Sequence, residues 1–174
     1  MADSSQFNNP CEIPYMSSDG KQLNVYPKEC VLNDKTWKYL YKAAKIAILH
    51  FKLHQILQKV HNDKSYENLY LISQGIAAKI NGRVVITLPD GHVVIDTCKG
   101  DGNTYENYIN DNISENHNTR VSIFQAQCDT GGVGYEKKYS STIGKTEAYI
   151  AVRLGKFRNN AGTLRLSVSI TNTD

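Results

Sequence analysis

From Trp37 to Val60 the apolar residues return every three or four positions: Trp37, Leu40, Tyr41, Ala44, Ala47, Ile48, Phe51, Ile56 and Val60. That period is one face of an α-helix, so the spacing predicts a single helix of about seven turns. Asn33 or Asp34 stands where an N-cap is needed. Lys38, Lys42, Lys45, Lys52 and Lys59 fall largely off the apolar face. A helix this long, apolar on one stripe, either packs across a sheet or pairs with a second copy of itself. Residues 64–81 repeat the helical period in a shorter second helix. Leu69, Ile72, Ile76 and Ile80 point inward, Ser65 is a candidate cap, and Asn81-Gly82 is the stop.

After Gly82 the pattern changes to that of strands. Val84, Val85, Ile86 and Leu88 are β-formers, and so are Val93, Val94 and Ile95. Pro89-Asp90-Gly91 between them suits a hairpin turn, with Gly91 at the left-handed position. Residues 97–118 are a polar excursion with one helical turn expected around 105–109. Residues 119–127 read as a short helix with Val121, Phe124 and Ala126 inward. Three strands close the chain. Tyr135 and Tyr139 alternate in the first, and Ala148, Ile150, Val152 and Leu154 share one face of the second. In the third, Leu164, Leu166, Val168 and Ile170 oppose Arg165, Ser167 and Ser169. Such alternation means one buried and one wetter face. The expected architecture is α+β, a five-stranded antiparallel sheet with helices packed on one side. Residues 1–33 are expected to form an irregular N-terminal arm, and 34–174 the domain.

Composition narrows the function classes. The chain has 174 residues, 40% hydrophobic and 21% charged, which suits one globular domain. A net charge of +3 does not by itself imply a nucleic-acid partner. The N-terminus has no apolar signal core. The most apolar run, residues 43–57, is broken by Lys45, His50, Lys52 and His54, so no membrane span is expected. A soluble chain, cytoplasmic or particle-associated, is the expectation. The abundance of Asn, Ile and Tyr, with Lys above Arg, suggests an AT-rich genome such as that of a protist, a low-GC bacterium or a large DNA virus. Cys11, Cys30, Cys98 and Cys128 match no zinc spacing. Reduced thiols and a Cys11–Cys30 bridge are both compatible with them.

Catalytic motifs are not found. His50 and His54 at i and i+4 could hold a metal on one helix face, but neither has a Glu beside it or an evident third ligand. Cys128 follows His117 by eleven residues, a pair that only spatial proximity would make a nucleophile. The glycines at 131–134 lack the strand–helix setting of a phosphate loop. Asp101, Asn103 and Glu106 miss the calcium-loop pattern, and Asn112-Ile113-Ser114 is a glycosylation sequon that matters only on a secreted chain. No enzyme activity, cofactor or metal is expected.

Four pieces, in order, resemble a known family. These are "NGRVVITLPDGHVVIDT", "SENHNTRVSIFQAQ", "GVGYEKKYSSTIGKTEAYIAVRL" and "GTLRLSVSI". With the helix before them, residues 36–170 resemble the PAS-like, or Cache, sensor domain of bacterial histidine kinases and chemoreceptors. The Glu115-Asn116-His117 run with Arg120 resembles that of phosphate-type sensor kinases. The resemblance implies a non-enzymatic fold that binds a small ligand between its sheet and the segment crossing it. It also implies a homodimer through the 36–61 helix. A sensor kinase would add membrane helices on both sides and a catalytic module, and these 174 residues hold neither. A sensor-like domain without its own output is therefore expected. The amino-acid-binding motif of double Cache receptors is not matched, so no ligand residues carry over.

The crossing segment holds Asn116, His117 and Arg120, and the sheet can supply Tyr139, Tyr149 and Arg153. Arginine with histidine and tyrosines suits a carboxylate or phosphate, because guanidinium binds planar anions in bidentate fashion. Asn116 and His117 could instead cap the short helix, with Arg120 pairing with a surface acid. The alternative function is a structural or assembly role that keeps the fold without a ligand, for example in a virion-associated protein of a large DNA virus.

Overall fold

In a computed structural model, which describes residues 13–16, 22–25, 35–110, 116, 120–128, 131–140, 144–156 and 159–170, the first long helix is broken in two. Helix α1 is Lys35–Phe51 and α2 is Leu53–Gln58. Lys52 between them is left-handed, with φ 51° and ψ 50°. The reason is phase. Trp37, Leu40, Ala44 and Ala47 form the buried stripe of α1. Continued at 3.6 residues per turn, that stripe would bring His54, Gln55 and Gln58 inward. The break resets it, and Leu53 and Leu57 go in instead, at 0% and 5% exposure. Each buried leucine contributes about 1.5–3 kcal/mol. That offsets the roughly 1–2 kcal/mol that left-handed backbone costs a residue with a Cβ. Lys52→Gly is therefore expected to raise stability by about 0.5–1 kcal/mol, whereas Lys52→Pro, unable to reach positive φ, should lower it by about 3 kcal/mol. Urea unfolding of the two variants decides it; no gain from glycine would mean that Lys52 is unstrained.

Helix α3 is Asp63–Ile80. Its cap is Asn62, not Ser65: the Asn62 side chain accepts from the Ser65 N–H at 2.8 Å, and the Ser65 hydroxyl accepts from the Asn62 N–H at 3.0 Å. This reciprocal box satisfies two donors that a helix start otherwise leaves unpaired. The stop stands as expected. Asn81 is left-handed at φ 52°, and the Gly82 N–H donates to Ala77 at 3.0 Å.

Strands β1 (Ile13–Met16) and β2 (Gln22–Val25) form an antiparallel pair in the arm expected to be irregular. Their alternation spans only four residues each and includes Pro14, too little to stand out in sequence. The other five strands are β3 (Arg83–Thr87), β4 (Val93–Asp96), β5 (Val133–Ser140), β6 (Lys145–Lys156) and β7 (Asn159–Ile170). They form one antiparallel sheet in the order β4-β3-β7-β6-β5. The β3–β4 turn is as expected: Gly91 sits at φ 93°, its N–H donates to Leu88 at 2.9 Å, and the Leu88 N–H donates to His92 at 2.8 Å. A 3-10 helical segment, Thr97–Gly102, follows β4, then α4 (Tyr105–Ile109) at the expected turn and α5 (Val121–Cys128).

Helices α1, α2 and α3 cover one sheet face. Ala148, Ile150, Leu154, Leu164 and Leu166 are at most 1% exposed there, as their alternation requires. The opposite face is not the wet one that the pattern suggested. Helix α5 packs on it through Ile123 and Ala126 against Ala151. Helices therefore lie on both sides of the sheet, although the sequence placed them on one. Phe124, expected inward, is 38% exposed, because the face of α5 that meets the sheet runs through Ser122, Ile123 and Ala126.

Candidate functional site

The antiparallel register aligns four polar side chains in one row across the second face. Arg83 of β3 is opposite Ser167 of β7, Ser167 is opposite Tyr149 of β6, and Tyr149 is opposite Glu136 of β5. Two arginines anchor the row. Arg83 donates from Nε and Nη2 to both Asp96 oxygens, at 2.9 and 2.6 Å. This is the bidentate geometry that makes guanidinium–carboxylate pairs strong. Arg165, one step along β7, is 5% exposed. Its Nη2 donates to Glu136 at 3.2 Å, and its Nε donates to the Ser122 hydroxyl at 3.0 Å. Its guanidinium lies 4.0 Å from the centre of the Tyr149 ring, a cation–π stack.

Each pair perturbs its acids and bases. Burial pushes the Asp96 carboxyl up, but the hydrogen bonds and charge of Arg83 more than offset it, leaving Asp96 below its ordinary value. Arg83 is pushed up, chiefly by that hydrogen bond. Burial lowers Arg165, opposed by Glu136. The Tyr149 hydroxyl is pushed up to about 12 by burial and by Glu147, to which it donates at 3.0 Å. Because the folded pKa of Asp96 lies below its unfolded one, its contribution is fully present above the unfolded value. It is lost as pH falls through the folded one. Asp96→Asn should thus cost stability at neutral pH, with the deficit against wild type shrinking below about pH 4. Urea midpoints at several pH values test this, and a deficit independent of pH would exclude the ion pair as its source.

Beside the row an open groove of about 500 Å3 runs between Gly82, Arg83, Cys98, Lys145, Glu147, Ser167 and Ser169. Glu147 accepts from Ser169 at 3.3 Å as well as from Tyr149. The groove therefore presents two cations, one carboxylate and two hydroxyls on a rigid sheet. Cys98 and Cys128 are exposed free thiols, and burial raises the Cys98 thiol rather than activating it. Cys11, Cys30, the sequon at 112–114 and His117 lie outside the described residues.

Of the residues singled out in sequence, Tyr149 and Arg153 lie on the polar face. Arg153 is 8% exposed and donates to the Ala126 carbonyl at 3.2 Å, fastening α5. Arg120 is exposed just before α5, close enough to repel the Arg165 charge. Tyr139 is 60% exposed and shares the odd-numbered side of β5 with Tyr135, the side opposite Glu136. Asn116 is exposed and donates to the Asp90 carbonyl at 3.2 Å at the β3–β4 turn. Of the five described, Arg120, Tyr149 and Arg153 thus lie on the α5 side of the sheet, and Asn116 and Tyr139 do not join them. Sequence reasoning passed over Arg83, Glu136 and Ser122, and read Arg165 only as an outward residue. A charged residue on the wetter side of a regular strand was the available signal. The His50–His54 pair does not share a face either. His50 lies between α1 and α3, while His54, beyond the break, packs against Gly155.

No family model and no curated protein matches the chain. Among solved structures it is similar to the ligand-binding domain of the Campylobacter jejuni chemoreceptor Tlp3 in complex with L-valine, at 13% identity and a TM-score of 0.45. It is also similar to the sensory domain of that receptor with isoleucine bound, at 12% identity and a TM-score of 0.44. In both, 81% of this chain is matched, and the match covers 60% of the receptor chain. No helix among the described residues is long and apolar enough to cross a membrane.

Proposed function

We propose that this chain is a non-enzymatic, sensor-like domain that binds a small molecule carrying an anionic group in the groove on the polar sheet face. Lys145 supplies positive charge, Arg83, already paired with Asp96, forms part of the wall, Ser167 and Ser169 supply hydroxyls, and Glu147 accepts from a donor on the ligand. The observation that carries this reading is the aligned row of Arg83, Ser167, Tyr149 and Glu136 on the face away from the apolar core, whose Arg83 and Ser167 end lines that groove. Such a site is largely preformed, with few polar groups at fixed positions. Holding a ligand suits it better than turning one over. Asp96 and Glu136 are committed to Arg83 and Arg165 and cannot serve as bases without breaking those pairs.

Native mass spectrometry of gently purified protein tests it. A bound small-molecule mass that disappears in Lys145→Ala supports the groove. A mass lost only in Arg120→Ala would move the ligand to the α5 side of the face. A clean unliganded mass, with no thermal shift from a panel of carboxylates and phosphates, would overturn the reading.

A further inference from the structure

Helices α1 and α3 lie side by side on the sheet and leave a groove of about 450 Å3 between them. Tyr39, Ala43, Ile46, Phe51, Gly75 and Ile76 line it, with the exposed Lys42, Lys79 and His50 around them. The apolar lips are open to water: Tyr39 is 50% exposed and Ile46 49%. The volume falls within the roughly 300–1,000 Å3 of small-molecule pockets, which are mostly apolar with few charged groups.

Gly75 points to a use for this space. It stands inside an 18-residue helix, where glycine costs about 1 kcal/mol relative to alanine. A Cβ placed on it would meet nothing within 4 Å, so packing does not require a glycine there. Its effect is to keep the groove open. Charge indicates what enters. Residues 35–60 contain six lysines and no Asp or Glu, and no carboxylate lines the groove. A second copy docked here would set this lysine-rich helix against its own image, an arrangement that like charges disfavour. A bilayer surface would leave the concave trough unfilled.

We infer that the α1–α3 groove binds a single-chain amphiphile, its alkyl chain in the apolar trough and its carboxylate at Lys42 and Lys79. This site is on the helical layer and is independent of the polar sheet face.

Decanoate, titrated calorimetrically below its micelle concentration, is the probe, and one molecule per chain is expected. Gly75→Leu has room, improves helix propensity, and should fold at least as stably while weakening decanoate about tenfold or more. Lys42→Glu combined with Lys79→Glu should weaken decanoate about tenfold and leave decanol unaffected. Absence of binding heat, or unchanged affinity in Gly75→Leu, would overturn the assignment. So would a dimer in solution that Gly75→Leu dissociates, since the groove would then belong to a second copy.

Discussion

Glu136→Ala is expected to destabilise the fold by about 3–5 kcal/mol, the range seen when one partner of a buried ion pair is removed. The reason is the position of Arg165. The two side chains are 6% and 9% exposed, and their 3.2 Å contact lies between α5 and the sheet. Without Glu136 the guanidinium keeps, among the described residues, the Ser122 hydroxyl and the Tyr149 ring. It is a nearly buried cation that cannot shed its proton at any relevant pH. For a chain of this size the loss corresponds to a fall in melting temperature of about 6–20 °C. Replacing both partners, Glu136→Leu with Arg165→Met, should recover most of it, because apolar groups of similar volume match a buried pair. Chemical denaturation of the single and double variants measures this. A single-variant cost below about 1 kcal/mol would show that the pair is solvated.

Gly134→Ala is expected to cost about 3 kcal/mol and to loosen α5 selectively. A Cβ on Gly134 would lie 1.8 Å from the Ser122 carbonyl oxygen and 3.0 Å from the Ala126 nitrogen. Both are backbone atoms, so no side-chain rotation relieves the clash and the helix must lift. Lifting it strains the bond from the Tyr135 N–H to Gln125 at 2.9 Å and that from the Gln127 amide to Thr163 at 2.6 Å. It also strains the Arg153 bond to Ala126 and the Arg165 bond to Ser122. Amide hydrogen exchange should report faster exchange in α5 with protection in α1 and α3 retained. Wild-type protection of α5 would mean that the helix does not rest on Gly134.

Much of the scaffold was readable one segment at a time. The β3–β4 turn needed only Pro89-Asp90-Gly91, and the end of α3 only Asn81-Gly82. The apolar faces of β6 and β7 followed from strict alternation, because successive strand residues point to opposite faces of a sheet. Two local errors share one cause. The first helix seemed continuous because Ile56 and Val60 fit a three-to-four spacing nearly as well as Leu53 and Leu57 fit the broken one. Ser65 seemed the cap because serine suits that role, while Asn62 suits it equally and stands three residues earlier. In each case local chemistry allowed two answers; packing against the sheet selected the break at Lys52, and the reciprocal bonds between Asn62 and Ser65 selected the cap.

The site was less readable, because its parts come from β3, β5, β6, β7 and α5, which are far apart in the chain. Tyr149 and Arg153 stand on the polar face because β6 alternates. Glu136 was passed over because nothing in "GVGYEKKYSS" marks it as buried, and Tyr139 was chosen although it lies on the other side of the same strand. By itself the sequence determined the element types, the apolar face of the sheet, the hairpin and the helix stop. Each of these rests on interactions within a few residues or on a simple period. Only the tertiary structure decided where α1 breaks, that α5 lies on the polar face, and that Arg165 meets Glu136. Those depend on how much space and which partner a distant strand presents, and the period of one segment carries no information about either.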